Sequence, residues 1–398
     1  GKQFFETLET MDPGPVEAMR SVGGTRLQVI RWGIWPQFTA HFVSQTLFRF
    51  ELNVRGAVVL GLVGAQGIGF LLQTYMRGAE YAKVTVVIGA IVRLALVPLW
   101  HGMDFDVWRI ASRELLRGHN FYAHKPHDLP GGPYAYPPLF VYLEAPFRFV
   151  MNVTGLSFRL LGKIPILAGD ALVAWALVRW ARRNELPEER VVAVVALWWL
   201  NPLVLYNGAF YGRFDCLVLG LLLCALLTGP PTDTDSRWYS RSAAWFGAAI
   251  AAKTFPAFIL PWFWRNGRNR SKLLTGIVVF VGAISLPFAL APGAFVQATV
   301  LYDTAKAPTN LSWQIVLRHV FDTDTNRAIG TFVLIGFIVT LFKLTRLDLT
   351  EYCAAAFCAF VVFSKVVNEQ YLVWALPFLA MLVVTRPERP HRWMLGLY

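Results

Sequence analysis

Two carboxylates, Asp104 and Asp106, directly follow an apolar run over residues 83–100. A carboxylate at the edge of an apolar segment can act as a general base that takes the proton of an attacking hydroxyl group. Asp106 can instead cap an amphipathic helix over residues 107–117, which Gly118 would end. Such a helix would lie on the bilayer surface and hold Asp104 at its rim. Catalysis and helix capping are therefore both open for this pair.

Several ionisable side chains fall inside apolar runs, where a charge is costly and usually faces a polar cavity. Four of them can form pairs by their spacing alone. Lys163 and Asp170 are two helical turns apart, and Lys365 and Glu369 are four residues apart, so ion pairing within each pair accounts for them.

Arg213 and Lys253 are different, because neither has an acid at pairing distance except Asp215. Asp215 follows Arg213 by two residues and points elsewhere if the segment is helical. Cationic groups of this kind can offset the charge of a departing phosphate. We therefore expect Arg213 or Lys253 to bind the phosphate of a substrate, with Asp215 as a further binding candidate.

Two tyrosines, Tyr134 and Tyr136, precede Pro137 and Pro138, which extend the chain before an apolar helix that starts at Leu139. Aromatic rings at a membrane interface can stack on a bound substrate. They can equally belong to an aromatic belt next to a helix-starting proline. Both interpretations are open.

A metal site is not expected. His119, His124 and His127 share one loop, but no H-x-x-x-H spacing or paired carboxylate accompanies them. The four cysteines all lie in apolar stretches without a CxxC spacing, so they are expected to be small buried side chains. The sequence thus predicts no metal and no cofactor.

The composition sets the class of protein that must position these residues. Of 398 residues, 56% are hydrophobic and only 16% are charged, and the mean hydropathy is +0.46. A soluble domain carries roughly a quarter charged residues, so an ordinary soluble enzyme and a nucleic-acid-binding protein are excluded. The net charge of +12 is expected to sit in cytoplasmic loops of a multi-pass membrane protein.

Apolar runs close to the roughly 20 residues needed to span a bilayer predict about ten spans or half-spans. They lie at about 38–63, 83–100, 157–178, 190–206, 214–228, 243–263, 273–291, 328–343, 352–365 and 370–385. Lys253 followed by Pro256 predicts that the run 243–263 is broken and turns back on itself. The predicted fold is an all-α polytopic membrane protein.

Residues 1–88 contain Glu17-Ala18-Met19 before Gly23, and an apolar segment from Glu51 to Gln73. This part closely resembles the C-terminal part of a phosphonate-type ABC importer permease, in which an EAA loop docks on the ATPase. Met19 departs from the second alanine of that motif. The resemblance implies an ABC ATPase partner only if this segment is functional. The start at Gly1, without a cleavable signal pattern, suggests a fragment.

Residues 89–398 carry a second set of landmarks. They are Met103-Asp104-Phe105-Asp106-Val107-Trp108, Tyr134-Ala135-Tyr136-Pro137-Pro138, Asn201-Pro202, Gly212-Arg213-Phe214-Asp215, Lys253-Thr254-Phe255-Pro256, Asn310-Leu311-Ser312 and Glu369-Gln370-Tyr371 with Trp374. In this order they resemble integral-membrane glycosyltransferases of the GT-C superfamily, close to the family 87 mannosyltransferases that use polyprenyl-phosphate sugars.

This resemblance implies a helix bundle with a catalytic aspartate in its first external loop, and Asp104 is the position that matches. It also implies that Asn310 and Ser312 lie near the lipid donor, although as lone polar residues they could be helix caps. Gln370 and Tyr371 belong to the last landmark and are further candidates for substrate binding. The expected enzyme is an inverting transferase in the cell membrane, with its active site on the extracytoplasmic side.

The implied reaction moves a hexose, mannose by the family, from a polyprenyl phosphate to a lipid or glycan acceptor. The implied partners are this donor, the acceptor and membrane lipids, with no nucleic acid. A permease subunit is the alternative function, and a lipid-binding or flippase-like protein is a third.

The two resemblances conflict in topology. A cytoplasmic EAA loop would leave Asp104 in the cytoplasm, whereas the transferase needs it outside. We interpret the chain as a fusion, natural or an assembly error, joined near residues 83–92.

Overall fold

A computed structural model of the protein describes residues 11–38, 81–123, 134–228, 236–267, 269–288, 292–299, 323–364 and 366–385. The described residues form helices joined by turns, which confirms the all-α prediction. Asn310, Ser312, His124, His127, Lys365 and the segment 51–73 lie outside the described residues. The chain divides into two units, residues 1–87 and residues 88–398.

In the first unit, helix α1 spans Gly14–Ser21 and contains Glu17 of the permease-like motif. The chain reverses at Gly23, whose φ of 76° suits a residue without a β-carbon. Thr25 and Gln28 then form a capping box that starts the next helical segment, Arg26–Gln28, which continues as a π-helical turn at Val29–Ile34. The permease-like motif is thus helical, while its docking on an ATPase stays a prediction.

The second unit is built from longer helices, and the boundary between the units falls within the first of them, α2. The helices are α2 (Tyr81–Leu96), α3 (Met103–Leu116), α4 (Leu139–Thr154), α5 (Ile164–Arg183), α6 (Glu188–Trp199), α7 (Asp215–Leu227), α8 (Ser236–Ala252), α9 (Leu260–Asn266), α10 (Arg270–Ser285), α11 (Pro292–Thr299), α12 (Thr323–Leu344), α13 (Leu349–Phe363) and α14 (Glu369–Thr385). Short helical turns lie at Phe158–Leu161, Pro202–Leu205, Tyr206–Tyr211, Phe255–Ile259 and Leu286–Phe288.

Helix α7 lies at the centre of this unit. Its sequence is apolar on every side, and all its residues from Asp215 to Ala225 are buried, as expected of a helix enclosed by others. It packs against α5, α8 and α14, while α13 packs against α14. The ends of α7 are therefore fixed by the surrounding helices.

Two described helices are long and apolar enough to cross a membrane, namely Phe158–Arg183, which includes α5, and Arg270–Phe288, which includes α10. Helix α6 and the segment Pro202–Tyr211 form a bent pair, with an angle of 43°, that could be a third. Helices α7, α13 and α14 are apolar but shorter. The count of about ten spans or half-spans stays a prediction.

The structure has the interruption that the sequence predicts within residues 243–263. Helix α8 ends at Ala252, a 3-10 turn follows at Phe255–Ile259 with Pro256 in its first positions, and α9 starts at Leu260. Lys253 lies at this break. The interruption moves Lys253 out of a regular helix, while the return of the segment within a membrane stays a prediction.

The predicted pair of Lys163 and Asp170 is wrong. Asp170 accepts a hydrogen bond from Nε of Arg93 on α2, at 2.9 Å, and both side chains are buried. The guanidinium of Arg93 also lies 3.7 Å from the centroid of the Trp199 ring and donates to the Trp199 carbonyl oxygen at 2.6 Å. Residue spacing suggested Lys163 as the partner of Asp170, but Arg93, from a different helix, is the cation that binds it.

Lys163 instead donates to backbone carbonyl oxygens at the ends of two other segments. Its Nζ lies 3.0 Å from the carbonyl oxygen of Val97, 2.7 Å from that of Ala209 and 2.8 Å from that of Phe210. The carbonyl oxygen of Trp100 completes the set. These carbonyls lie where helical segments end and lack helical partners, so the three N–H donors of one buried ammonium are shared among the four oxygens.

We expect Lys163→Met to destabilise the protein by roughly 3 kcal/mol or more, because it leaves several buried carbonyl oxygens without a donor. The thermal midpoint of the purified protein in detergent measures this loss. Lys272→Met is the matched control, since Lys272 is exposed in the first turn of α10. Equal midpoints for the two variants would show that Lys163 is not a structural link.

Candidate functional site

Asp104 and Asp106 both lie in the first turn of α3, where carboxylates are favoured by the positive end of the helix dipole. The helix begins at Met103 with Gly102 as its N-cap residue, so the prediction that Asp106 caps the helix is wrong. Asp106 instead accepts a hydrogen bond from Nε of Arg109 at 3.0 Å. The predicted end at Gly118 is confirmed by its φ of 76°.

Helix α3 starts in direct contact with the turn that precedes α7. The amide of Gly102 donates to the Tyr211 carbonyl oxygen at 2.8 Å, and a β-carbon at Gly102 would overlap the Tyr211 ring. Gly212 has a φ of 89°, and its missing β-carbon leaves room for the Phe105 ring. Two glycines thus let the start of α3 approach this turn closely, which brings Asp104 next to Arg213.

Arg213 is the centre of a polar cluster at this junction. Its Nε lies 3.4 Å from Asp104 Oδ2, and its Nη1 lies 3.0 Å from Glu369 Oε2 and 3.1 Å from Asn207 Oδ1. Its guanidinium carbon is 4.0 Å from the centroid of the Tyr211 ring. The Arg213 side chain is only 9% exposed, but Asp104 is 32% and Glu369 49% exposed. The carboxylates can therefore be reached from outside, while the cation is fixed beneath them.

The expectation that Arg213 lacks a nearby acid is wrong, because its partners come from distant parts of the chain. Glu369, in the first turn of α14, binds Arg213. Its expected pairing with Lys365 stays a prediction, because Lys365 lies outside the described residues. Asn207 and Tyr211 were not singled out by the sequence. The landmark Glu369-Gln370-Tyr371 was the one available signal for Glu369.

Asp215 and Lys253 form a second, buried ion pair. Lys253 Nζ and Trp374 Nε1 both donate to Asp215 Oδ1, at 2.8 and 2.6 Å. Asp215, which the sequence presented only as a neighbour of Arg213, is therefore the ion-pair partner of Lys253. The ammonium also lies 4.8 Å from the centroid of the Tyr136 ring. Phe214 stands between Arg213 and Asp215 in sequence, so the two charged groups flank one aromatic side chain.

Aromatic rings pack between the Arg213 cluster and the Asp215–Lys253 pair. Phe214 stacks on Phe140 at a centroid distance of 3.9 Å, and Trp108 of α3 meets Tyr134, Tyr136 and Phe214 edge to face. Tyr134 is buried and its hydroxyl donates to the Pro137 carbonyl oxygen at 2.9 Å. Packing accounts for Tyr134, whereas Tyr136 is half-buried beside Lys253.

The other candidates have separate positions. Gln370 follows Glu369 in α14 and is buried. Tyr371 is buried too, with its ring 4.6 Å from that of Trp374, which binds Asp215. Asn310 and Ser312 lie outside the described residues. Of the predicted binding residues, the structure thus places Asp104 and Arg213 in one cluster and Tyr136, Asp215 and Lys253 in the neighbouring one.

No group of three or more His, Cys, Asp or Glu side chains able to hold a metal ion occurs among the described residues. His101 lies beside the Asp106 carboxylate, with Nε2 3.7 Å from Oδ2. Burial lowers the pKa of His101, and the opposing attraction of Asp106 does not reverse this. His101 is thus mostly neutral at pH 7. The absence of a metal from the reaction stays a prediction.

The comparisons with known proteins match the two units separately. Residues in the N-terminal quarter are 41% identical over 99 residues to the phosphite transport system permease protein PtxC of Stutzerimonas stutzeri, covering 25% of this chain but only 35% of that protein. The chain therefore spans about a third of this permease. The predicted permease resemblance of the N-terminal part is confirmed.

A larger part of the chain is similar to glycosyltransferases. GPI mannosyltransferase 1 of Gibberella zeae is 24% identical over 322 residues, covering 70% of this chain and 71% of that protein. The crystal structure of ArnT from Cupriavidus metallidurans bound to undecaprenyl phosphate is similar in fold, with a TM-score of 0.53 and 15% identity, and the match covers 79% of this chain and 62% of that one. The predicted GT-C-like fold is confirmed.

The sequence pattern of glycosyltransferase family 87 matches residues 134–394. This range includes Arg213, Lys253 and Glu369 but starts after Asp104. Because the match covers well over half of the sequence, the chain belongs to glycosyltransferase family 87.

Proposed function

We propose that this protein transfers a mannose from a polyprenyl phosphate to a hydroxyl group of a lipid or glycan acceptor, on the extracytoplasmic side of the cell membrane. The similarity to GPI mannosyltransferases supports mannose as the sugar. The similar fold of an ArnT structure bound to undecaprenyl phosphate supports a polyprenyl-phosphate donor. The carrying observation is a partly exposed carboxylate, Asp104, held on a buried guanidinium, Arg213.

The proposed chemistry is a single displacement. Asp104 takes the proton of the acceptor hydroxyl as its oxygen attacks the anomeric carbon of the donor sugar. The bond from that carbon to the phosphate oxygen breaks, and the phosphate departs with the electron pair. The new bond forms on the face opposite the leaving group, so the configuration at the anomeric carbon is inverted.

Arg213 suits the departing phosphate better than Lys253 does. Its guanidinium lies in the same cluster as Asp104, and its planar array of donors matches phosphate oxygens. Lys253 is buried and already bound to Asp215, so a phosphate would have to displace a buried ion pair to reach it. In this proposal Asp215 and Lys253 position Phe214 and Tyr136, and Arg213 binds the donor.

The remaining candidates are assigned to substrate binding as proposals. Tyr136 lies beside Lys253, next to the Arg213 cluster, where its ring can face a sugar. Gln370 and Tyr371 directly follow Glu369 in α14, and they are proposed to bind substrate on the family resemblance. Asn310 and Ser312 are proposed to lie near the donor lipid, on the family resemblance. Multi-pass insertion, with α3 on the outer membrane surface, completes the proposal.

Asp104→Asn is expected to lower the transfer rate by about 10²- to 10⁴-fold, or roughly 3–5 kcal/mol in the barrier, because it removes the base without changing the side-chain shape. The assay uses purified protein and synthetic polyprenyl-phosphate mannose, with polyprenyl-phosphate glucose as the alternative donor. Asp106→Asn is the matched control and should lose less, since Asp106 contacts Arg109. Full activity in Asp104→Asn would disprove its role as the base.

Transfer is expected to survive EDTA. A nucleotide-diphosphate donor needs a divalent cation to offset two phosphates, whereas a single phosphate can be offset by Arg213. The rate with and without EDTA, followed by addition of Mg²⁺ or Mn²⁺, measures this. Activity that EDTA abolishes and either metal restores would contradict the proposal.

A second candidate function is a permease subunit, which the similarity of the N-terminal quarter to PtxC favours. The two functions need opposite locations of Asp104 relative to the membrane. The topology conflict is resolved if the transferase works without the first unit. We therefore propose that residues 89–398 form the transferase and that residues 1–88 are a permease-like addition.

A chain that begins near Tyr81 is expected to insert and transfer mannose at least as well as the full chain, because every proposed site residue lies at or after Asp104. Membrane fractionation and the transfer assay test this. Loss of transfer from an inserted short chain, together with recruitment of an ABC ATPase through Glu17 of the full chain, would favour the permease function.

A further inference from the structure

Helix α3 carries arginines on a side away from the candidate site. Arg109, Arg113 and Arg117 are spaced four residues apart, so they share one helix face, and their side chains are well exposed. Helix α4 packs against α3 and adds Arg148. Burial, and the positive charges of those three arginines, lower the pKa of Arg148, although a guanidinium stays charged at pH 7. We call these four residues the arginine face.

The acids on this surface do not balance the arginines. Asp106 binds Arg109, and Glu114 binds both Arg113, at 2.9 Å, and Arg117, at 3.5 Å. The hydrogen bond from His119 and the neighbouring arginines lower the pKa of Glu114, so it is ionised. Among the described residues, two carboxylates, those of Asp106 and Glu114, therefore face four guanidinium groups.

Glu144 does not supply the missing charge. It lies one turn before Arg148 in α4 and is fully buried, and neither carboxyl oxygen has a hydrogen-bond partner within the described part of the chain. Burial raises its pKa well above the usual range, which disfavours the charged form. Nε of Arg148 is likewise buried with no partner among the described residues. Among the described residues, the arginine face thus carries more guanidinium groups than carboxylates.

Exposed apolar side chains border this surface. Phe149 and Val153 of α4 are 60% and 70% exposed, and Val150 and Leu116 are also exposed. A soluble anion would leave these side chains in water. A lipid with an anionic head group satisfies both features, because its phosphate can bind the arginines while its acyl chains cover the apolar residues.

We propose that the arginine face binds the phosphate of an anionic membrane phospholipid, at a site separate from the Asp104 cluster. Arg109 lies little more than one helical turn from Asp104 on the same helix. A lipid bound there would therefore also fix the helix that presents the proposed base. The binding needs neither the sugar donor nor transfer, so it can be measured independently of the proposed function.

The test measures binding of dioctanoyl phosphatidylglycerol and dioctanoyl phosphatidylcholine to the purified full chain in a neutral detergent. Phosphatidylglycerol is expected to bind at least tenfold more tightly. Arg148→Gln should weaken it by roughly tenfold, the value of one charge-assisted hydrogen bond, and leave phosphatidylcholine unchanged. Arg148 is the best position because the structure gives it no ion pair among the described residues. Arg182→Gln, at the exposed end of α5, is the matched control and should bind like wild type.

Equal affinity for the two lipids would overturn the proposal, as would wild-type affinity in both Arg148→Gln and Arg113→Gln. Inorganic phosphate that competes as well as the lipid would show an anion site without lipid specificity, which also contradicts it. If Arg148→Gln does not fold, Arg117→Gln makes the same test. Asp104→Asn should bind phosphatidylglycerol like wild type, so a failure of the transferase proposal is distinguishable from a failure of this one.

Discussion

The geometry of the candidate site depends on a single buried ammonium. Lys163 Nζ binds carbonyl oxygens of Val97 and Trp100, just before α3, and of Ala209 and Phe210, just before Arg213. These two stretches carry the proposed base and the proposed phosphate ligand. Helix ends repel one another through their exposed carbonyls unless a donor lies between them. Lys163 supplies that donor and so lets Asp104 and Arg213 come within 3.4 Å.

Two buried ion pairs in the apolar interior differ from the Arg213 cluster. Arg93 with Asp170, and Lys253 with Asp215, are buried pairs with one acid for each base. Such pairs add little stability in place of apolar residues, but breaking one is costly. Arg213 differs because two carboxylates share its guanidinium and both are partly exposed. An excess of acid that reaches solvent is unnecessary for packing, which is the physical reason to place the reaction there.

The sequence was sufficient to predict those structural features that depend on neighbouring residues alone. The apolar composition indicated a helical membrane protein, Pro256 marked the break after α8, and Gly118 marked the end of α3. The landmarks, taken in order, indicated the family. The N-cap of α3 was misassigned because Gly102 starts the helix by packing on Tyr211, a contact that depends on a distant segment.

The pairing of charges could not be predicted for the same reason. Arg213 and Glu369 are 156 residues apart in sequence, and Arg93 and Asp170 are 77 apart. Local ion pairs at a spacing of three or four residues contribute only a few tenths of a kcal/mol. Burial against another helix outweighs that contribution. The sequence therefore identified which residues carry charge, and only the packing of α7 against α5 and α14 determined their partners.

In the proposed reaction, the Arg213 guanidinium couples proton removal by Asp104 to departure of the phosphate. While Asp104 is ionised, it draws on the positive charge of Arg213. As Asp104 takes the acceptor proton it loses its own negative charge, and its attraction for Arg213 falls. Over the same step negative charge grows on the departing phosphate. On this mechanism one fixed cation stabilises the base before the transfer and the leaving group during it, so proton removal and departure of the phosphate assist each other.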